Sequence, residues 1–344
     1  RSKELTIPNQ MFIDGEFVSA TSGATFDAIS PIDQRVLANV AAGDSHDVDK
    51  AVTAAKRTFE NGVWRDLNPR DKKTIMLKWA DLIREHYEEI ALLETLEVGK
   101  PIGDTSGYDA LAVARVIQWY GEAIDKRYDE IAPAPTNSLA MITREPLGVI
   151  GAIVPWNYPI VIASWKIGPA LAMGNSMVLK PSEESSLAIL KIAQLGIEAG
   201  IPKGVFNVVT GLGDQAGQAL ARHLDVAKIA FTGSGPVGKK MLQYAAESNL
   251  KQVALELGGK SPQVVLDDVV DLDKAASTIA WGIYYNSDQT CNAGSRVIVH
   301  ESIKAALTAK LAEFVGNFKV GDPLDPTTQM GPVVSLKQRD RVNS

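Results

Sequence analysis

Residues 227–238 read AKIAFTGSGPVG, an apolar run followed at once by a glycine-rich turn. Ala227–Phe231 has the length and apolar character of a buried strand, and Gly233, Gly235 and Gly238 fit the pattern G-x-G-x-x-G. That pattern carries meaning when it follows a strand and opens a helix, because backbone N–H groups at the helix start can hold a pyrophosphate. A plain glycine-rich turn is the alternative for the motif alone. The strand and helix around it favour dinucleotide binding.

The same alternation of short apolar runs and helical patterns extends on both sides of this stretch. Strands are predicted at Val149–Val154, Ser176–Leu179, Val205–Val209, Ala227–Phe231, Gln252–Glu256 and Gln263–Leu266, and helices near residues 160–173, 184–199, 214–223, 236–247 and 271–285. Short apolar strands separated by helices indicate an α/β fold with a Rossmann-type parallel sheet covered on both faces. Such sheets bind ligands at the carboxyl ends of their strands.

The N-terminal third has a different pattern, a β-hairpin followed by amphipathic helices. The hairpin is predicted at Met11–Val18 with its turn at Asp14–Gly15, and the helices at residues 45–59 with Ser45 as N-cap, at residues 69–96 and at residues 106–127. Pro133 and Pro135 then break the chain before a predicted strand at Leu139–Arg144. We expect residues 128–146 to form an excursion that pairs with another subunit.

Composition describes an ordinary globular protein of 344 residues, with 45% hydrophobic and 22% charged residues. The net charge of −6 gives no global electrostatic reason to bind nucleic acid or an anionic membrane. The most apolar stretch, Val149–Val154, is far too short to span a bilayer. No apolar run follows residues 1–4, so no secretory signal is predicted. A single cysteine suits the reducing cytoplasm, and the four histidines lack metal-ligand spacing, so no metal is expected.

That single cysteine, Cys291, lies in the stretch NSDQTCNAG at residues 286–294. A lone cysteine is usually a small buried hydrophobe with an inert thiol. Here polar residues surround the sulfur, and Ala293–Gly294 allow a ligand or another backbone to come close. These neighbours favour a nucleophile.

The residue that contacts an adenosine ribose is ambiguous from the pattern alone. The dinucleotide fingerprint expects an acidic residue about 20 positions on, at the end of the next strand, and Glu256 lies there. Lys180 and Glu183 follow an earlier strand and also suit a ribose diol, since one donates and the other accepts hydrogen bonds.

Five motifs in order carry a resemblance to a known family. They are PWNYP at residues 155–159, KPSE at 180–183, FTGS at 231–234, ELGGKSP at 256–262 and QTCNAG at 289–294. From about residue 11 to its end the chain resembles the NAD(P)-dependent, hydrolytic aldehyde dehydrogenase superfamily. Among its branches it is most similar to the bacterial γ-glutamyl-γ-aminobutyraldehyde dehydrogenases, through residues 119–126, 211–220 and 323–328. That branch implies polyamine catabolism.

The resemblance implies a role for each catalytic position. Cys291 is the nucleophile, Asn157 shares the oxyanion with the Cys291 backbone N–H, and Glu256 is the base that hydrolyses the acyl-enzyme. Lys166 matches a lysine thought to assist proton relay near that base, with a solvated structural lysine as the alternative. With Glu256 assigned as the base, the resemblance implies that Lys180 and Glu183 contact the adenosine ribose.

The resemblance also implies NAD as cofactor and a set of contacts for it. NAD is favoured over NADP because the Glu183 carboxylate repels a 2′-phosphate. The implied cofactor contacts are Pro155, Trp156, Lys180, Ser182, Glu183, Gly213, Gly217, Phe231, Thr232, Gly233, Ser234, Val237, Leu257 and Gly258. The implied substrate contacts are Asp109, Tyr158, Trp165, Thr290 and Asn292. Tyr108 and Asp109 match a tunnel mouth at which an acidic residue favours an aminoaldehyde or amide-bearing tail; an exposed helical aspartate is the alternative for Asp109.

The resemblance further implies a domain plan and a homodimer or homotetramer. Residues 1–127 and 147–257 form the NAD-binding domain, residues 128–146 an oligomerisation segment, and residues 258–344 the first part of a catalytic domain. Two features depart from the family: Asp288 replaces its usual glycine, and the family continues beyond residue 344, so we expect a shortened chain. A dehydrogenase that transfers its thioester to coenzyme A, or an inactive shortened fold with a binding role, are the alternative functions.

Overall fold

The computed structural model describes residues 5–344, so the expectation for residues 1–4 lies outside the described residues. Its strands are β1 (Met11–Ile13), β2 (Glu16–Val18), β3 (Thr25–Ile29), β4 (Val36–Ala41), β5 (Glu130–Ala132), β6 (Ala140–Ile142), β7 (Val149–Ile153), β8 (Ser176–Lys180), β9 (Phe206–Val208), β10 (Val226–Gly233), β11 (Gln252–Leu257), β12 (Pro262–Val265) and β13 (Arg296–Val299). Its α-helices are α1 (Ser45–Glu60), α2 (Pro69–Glu85), α3 (Tyr87–Val98), α4 (Ile102–Asp104), α5 (Ala110–Ala123), α6 (Pro159–Ala172), α7 (Leu187–Ala199), α8 (Gln218–Arg222), α9 (Gly235–Ala246), α10 (Leu272–Tyr284), α11 (Lys304–Gly316) and α12 (Leu336–Val342).

Five parallel strands form one side of a seven-stranded sheet with the order β11-β10-β7-β8-β9-β1-β2. The hairpin β1–β2 adds to one edge in antiparallel orientation. Asp14 and Gly15 both have positive φ in its turn, which such tight hairpins require. The predicted α/β parallel sheet and the predicted hairpin are both present.

Helices cover both faces of this sheet, because its central strands are apolar throughout. Strands β7 and β8 are buried at every residue. One hydrophobic core lies between the sheet and helices α2, α3, α5, α6 and α7, and it contains the fully buried Trp64 and Trp79. A second core lies between the other face and helices α1, α8 and α9.

Residues 262–316 form a separate small unit, so the strand predicted at residues 263–266 lies outside the main sheet. Strand β12 pairs in parallel with β13, and helices α10 and α11 pack on them around a core that includes Val265, Ile279 and Leu307. Strand β13 and helix α11 were not predicted. Strand β13 contains no fully buried residue, and α11 contains only one, Leu307.

Three helix predictions need correction at their ends. Asp44, not Ser45, is the N-cap of α1, and its carboxylate accepts the backbone N–H of His46 at 2.8 Å. The predicted helix at 69–96 is two helices that break at His86. Ahead of α5, residues 105–109 form a π-helical turn, so the regular helix begins later than predicted.

The segment at residues 128–146 forms the short antiparallel hairpin β5–β6, of which only the second strand was predicted. Its apolar side chains are exposed, including Tyr128, Ile131 and Met141. Among residues 5–344, no helix combines the length and the apolar character that crossing a membrane requires.

Candidate active site

The register of the parallel strands brings the sequence motifs to one edge of the sheet. Ile153 lies beside both Lys180 on β8 and Phe231 on β10, and Thr232 lies beside Glu256 on β11. Because parallel strands end at the same edge, the loops that follow β7, β8, β10 and β11 lie next to one another.

A cavity of about 340 Å³ opens at this edge and contains the cysteine. It is lined by Pro155, Trp156, Asn157, Ile162, Thr232, Gly233, Ser234, Leu257, Gly258, Gln289, Cys291 and Arg341. Nine of these twelve residues belong to the set predicted from the sequence; the other three are Ile162, Gln289 and Arg341. Residues far apart in the chain therefore meet around the thiol.

Cys291 is exposed, so its thiol can meet a small molecule. Three consecutive residues just before it, Asn286, Ser287 and Asp288, have φ of 52°, 56° and 61°. This left-handed conformation is rare for residues other than glycine. A Cβ placed on Gly259 would lie 3.2 Å from the carbonyl oxygen of Cys291, so a side chain at this position would crowd the cysteine loop.

Hydrogen bonds tie the cysteine loop to the loop after β7. The side-chain nitrogen of Asn157 donates to the backbone carbonyl of Gln289 at 2.8 Å, and Asn286 donates to the carbonyl of Asn157 at 3.0 Å. The side-chain oxygen of Gln289 accepts the N–H of Val334 at 2.9 Å. An amide nitrogen carries two hydrogens, so Asn157 keeps one donor beyond its bond to Gln289.

Tyr158 is the second link between these loops. Its hydroxyl is 2.9 Å from the hydroxyl of Thr290, the residue before Cys291. Its ring lies near Tyr285, with 6.4 Å between ring centroids. Lys100 places its ammonium 3.8 Å from the centre of the Tyr158 ring.

Lys166 and Glu256 do not line the cysteine cavity. Lys166 is on α6 and, with Trp165, borders a neighbouring cavity of about 440 Å³ between that helix and the sheet. Burial lowers the pKa of Lys166 to about 8, and the charge of Glu256 partly opposes this shift. Glu256 itself is exposed on the edge strand β11. The Glu256 carboxylate is therefore close enough to influence the pKa of Lys166.

The nucleotide side of the site has a buried lysine beside an accessible carboxylate. Lys180 is 2% exposed, whereas the side chain of Glu183 is 41% exposed, and their nitrogen and oxygen atoms are 3.4 Å apart. Burial lowers the pKa of Lys180, and Glu183 opposes the shift. Gly217 lies close to Lys180, where an added Cβ would be 3.7 Å from its side chain.

The start of α9 fits a pyrophosphate. Ser234 is its N-cap residue but makes no side-chain capping bond, and no acidic residue lies in the first turn. A Cβ added at Gly235 would meet no atom within 4 Å, so open space lies against this backbone. Unsatisfied N–H groups and the positive end of the helix dipole favour an anion there. The residues present are thus compatible with a dinucleotide between Lys180 and Cys291.

Asp109 requires a correction, because it is neither exposed nor at the mouth of a tunnel. It is fully buried and accepts a hydrogen bond from Lys100, so its side chain is not available to a substrate tail. Tyr108, its neighbour, is 51% exposed. Of the other predicted substrate contacts, Trp165 and Asn292 are exposed, and Thr290 is part-buried beside the thiol.

Two features near the site were missed from the sequence. Arg341 on α12 lines the cysteine cavity, although nothing in the sequence around it forms a motif. Lys100 follows the helix-ending Gly99, where a lysine is normally solvated. Its complete burial beneath Tyr158 depends on contacts between distant segments, which no local pattern records.

Comparison with known proteins gives consistent matches over nearly the whole chain. The profile of the Aldehyde dehydrogenase family matches residues 17–344. The chain is 49% identical over 344 residues to the NADP/NAD-dependent aldehyde dehydrogenase PuuC of Escherichia coli (strain K12), covering 100% of this chain and 70% of the relative. It is 46% identical over 340 residues to the aminoacetaldehyde dehydrogenase of Pseudomonas aeruginosa, covering 99% and 68%.

A solved structure agrees with these sequence matches. The γ-glutamyl-γ-aminobutyraldehyde dehydrogenase of Burkholderia cenocepacia superposes with a TM-score of 0.97 at 54% identity, covering 98% of this chain and 68% of that chain. The chain therefore spans about 70% of the length of the relatives it matches.

Proposed function

Because this chain belongs to the aldehyde dehydrogenase family, we propose that it oxidises an aldehyde with an amino or amide-bearing tail to its carboxylic acid. The enzyme class, an NAD(P)-dependent aldehyde dehydrogenase, follows from the family match and from the relatives. The observation that carries the proposal for the site is the exposed Cys291 in the same cavity as Asn157 and Ser234.

Cys291 would begin the reaction by adding its thiolate to the aldehyde carbon. The new carbon–sulfur bond gives a tetrahedral thiohemiacetal, and the former carbonyl oxygen becomes negatively charged. The free N–H of the Asn157 amide and the backbone N–H of Cys291 would stabilise that oxygen. The bond from Asn157 to Gln289 holds the amide in orientation before substrate arrives, which is the preorganisation that electrostatic catalysis requires.

When bound, the nicotinamide cofactor supplies a hydride acceptor at the thiohemiacetal carbon. Lys180, Glu183, Ser234 and the start of α9 would hold it, since they provide hydrogen-bond partners for a ribose and a pyrophosphate. The accessible carboxylate of Glu183 would disfavour a 2′-phosphate, so we propose NAD as the preferred form.

Glu256 would complete the reaction by removing a proton from the water that attacks the thioester. The products are the free acid and the thiolate of Cys291. Glu256 lies at the end of β11, and Gly258 and Gly259 follow it beside the cysteine loop. Lys166, with its lowered pKa, lies within electrostatic range of this carboxylate.

The tail of the substrate is proposed from the relatives. One relative is named for aminoacetaldehyde and one solved structure for γ-glutamyl-γ-aminobutyraldehyde, both with nitrogen-containing tails.

The exposed hairpin at residues 128–146 supports a homo-oligomer. Unpaired strand edges and apolar side chains such as Ile131 and Met141 need a partner to avoid aggregation. A second copy of the chain is the proposed partner, and sedimentation would measure the assembly.

The test is NADH formation from a panel of aldehydes, followed by identification of the product. The panel contains γ-glutamyl-γ-aminobutyraldehyde, aminoacetaldehyde and a neutral aldehyde of similar length, and Cys291→Ala is the control. We expect acid without coenzyme A, and the highest kcat/KM for a nitrogen-containing tail. Turnover that requires coenzyme A would instead assign an acylating dehydrogenase. Equal rates in Cys291→Ala would remove the nucleophile assignment.

A further inference from the structure

A group of buried charges lies beside the cysteine loop and takes no part in the reaction described above. Lys100 has no exposed side-chain surface, and neither does Glu94 or Asp109. The Lys100 ammonium forms an ion pair with Asp109, and its nitrogen is 3.9 Å from a carboxylate oxygen of Glu94. Burying three ionisable groups in one cluster costs free energy on folding, because each loses its hydration. Such a cluster is therefore a candidate for a role beyond stability.

The carboxyl oxygens of this cluster indicate a shared proton. Both oxygens of Glu94 and one oxygen of Asp109 lack a hydrogen-bond donor among the described residues. A neutral acid at Glu94 would donate its O–H to Asp109, which gives a partner to one oxygen of each carboxyl group. Burial and the nearby charge of Asp109 raise the pKa of Glu94 well above its ordinary value, in agreement with this assignment. The cluster then contains one cation and one anion.

The cluster reaches the nucleophile through one aromatic ring. The Lys100 ammonium lies 3.8 Å from the centre of the Tyr158 ring, and the Tyr158 hydroxyl is 2.9 Å from that of Thr290. Thr290 precedes Cys291, and Tyr158 follows Asn157 in the chain. A desolvated cation attracts an aromatic face strongly, so Lys100 restrains the Tyr158 ring. The hydrogen bond between the Tyr158 and Thr290 hydroxyls then restrains the cysteine loop.

We propose that Lys100, held by Asp109 and a protonated Glu94, is a positioning residue that fixes Tyr158 and, through Thr290, the loop that carries Cys291. This rests on the proposed function of Cys291 as the nucleophile. Asn157 precedes Tyr158 in the chain, so restraining the Tyr158 ring also restrains Asn157. Both proposed oxyanion donors, the Asn157 amide and the Cys291 backbone N–H, therefore depend on the ion pair between Lys100 and Asp109. The other titratable groups near the cluster are the buried Glu97, whose charge also raises the pKa of Glu94, and the part-buried Asp104 and Tyr285.

The first experiment breaks the link without touching the buried charges. Thr290→Val and Tyr158→Phe each remove one hydroxyl, and the double variant removes both. We expect each to lower kcat about tenfold, because small displacements of reacting groups cost up to roughly a hundredfold. The double variant should be no slower than the slower single variant, since the two changes remove one interaction. Thr290→Ser, which keeps the hydroxyl, should recover most of the loss, and Tyr285→Phe is the matched control for removing a phenol from the neighbouring ring.

The second experiment measures the reactivity of the Cys291 thiol, which depends on the position of the loop, without using the dehydrogenase reaction. Cys291 is the only cysteine, so its alkylation by iodoacetamide can be followed by intact mass. We expect Thr290→Val, Tyr158→Phe and the charge-free pair Lys100→Met/Asp109→Asn to change the alkylation rate by the same factor. Glu94→Gln, whose amide can donate to Asp109 as the acid does, should retain the rate better than Glu94→Ala.

The alkylation rates do not depend on the dehydrogenase reaction, so failure of the positioning role can be distinguished from failure of the proposed function. If the protein makes no NADH from any aldehyde, the proposed function fails, and the alkylation rates still test the positioning role. Multiplicative losses in the Thr290 and Tyr158 double variant would overturn the positioning role. An alkylation rate that none of these variants changes would overturn it as well.

Discussion

The side-chain nitrogen of Asn157 lies 2.8 Å from the backbone carbonyl oxygen of Gln289, two residues before the thiol. The bond joins the loop after β7 to the loop after α10, segments that are 132 positions apart in the chain. Asn157 thus has two tasks that a substitution would remove together. It positions the cysteine loop, and in the proposed mechanism it also donates to the oxyanion.

Replacing Asn157 with alanine tests the oxyanion role. We expect kcat to fall about a hundredfold or more, the usual cost of losing one oxyanion donor. The alkylation rate of Cys291 serves as the control for the loop. If alkylation falls by the same factor as kcat, the bond to Gln289 explains the loss and the oxyanion assignment is contradicted.

Replacing Glu256 with glutamine should separate the two halves of the reaction. The thioester should still form, because the hydride step needs no base at this position, but its hydrolysis should slow about a hundredfold or more. We expect a burst of NADH of one equivalent followed by slow turnover, and an acyl adduct on the only cysteine detectable by intact mass. A variant that turns over steadily without an adduct would assign the base elsewhere.

Replacing Glu183 with glutamine should change the choice of cofactor. The carboxylate is 41% exposed, so it faces the space where a ribose would lie. Removing its charge removes the repulsion of a 2′-phosphate, and we expect the preference for NAD over NADP to fall about tenfold, by analogy with the energy of one exposed charge pair at short range. The ratio of kcat/KM for the two cofactors measures this, with Glu198→Gln on the nearby helix α7 as the control for charge alone.

The sequence predicted the parallel sheet and most of the cavity because the information was local. An apolar run such as Val149–Val154 specifies a buried strand by itself, and the glycines at 233–238 mark the turn that follows the apolar run at Ala227–Phe231. Because parallel sheets bind ligands at the carboxyl ends of their strands, the motifs that follow these strands are expected at one edge of the sheet. The strand register Ile153–Lys180–Phe231 agrees with that expectation.

Other parts of the site depend on distant contacts and could not be predicted. Asp109 looks like a solvated helical aspartate, yet it is buried because Lys100 pairs with it. The N-cap at Asp44 was missed by one position because Ser45 has equal capping preference, and only the bond to His46 decides between them. Arg341 reaches the cavity from the last helix, whose position no motif specifies.

Lys166 should make stability depend on pH in a specific window. Burial lowers its pKa to about 8 in the folded protein, against an ordinary value of 10.5. Between these values the unfolded chain binds more protons than the folded chain, so the free energy of unfolding should rise as the pH rises from about 8 to 10.5. We expect the wild type to gain about 1 to 2 kcal/mol there relative to Lys166→Met, allowing for residual solvent at this part-buried group. Urea unfolding at several pH values measures it, and parallel curves for both proteins would contradict the shift.

Asp288 should destabilise the loop that carries the nucleophile, because its φ of 61° belongs to the left-handed region. Glycine adopts that region without steric cost, and asparagine tolerates it better than most residues. We expect Asp288→Gly to raise the free energy of unfolding by about 1 kcal/mol, the cost of one such residue.

Asp288→Asn separates backbone strain from charge at this position. It removes the carboxylate and keeps a side chain of the same shape, so its gain in stability should be a few tenths of a kcal/mol at most if strain dominates. If strain dominates, only Asp288→Gly should add clear stability. Equal stability gains in the two variants would assign the cost to charge, and a loss of stability in Asp288→Gly would show that the turn needs the aspartate side chain.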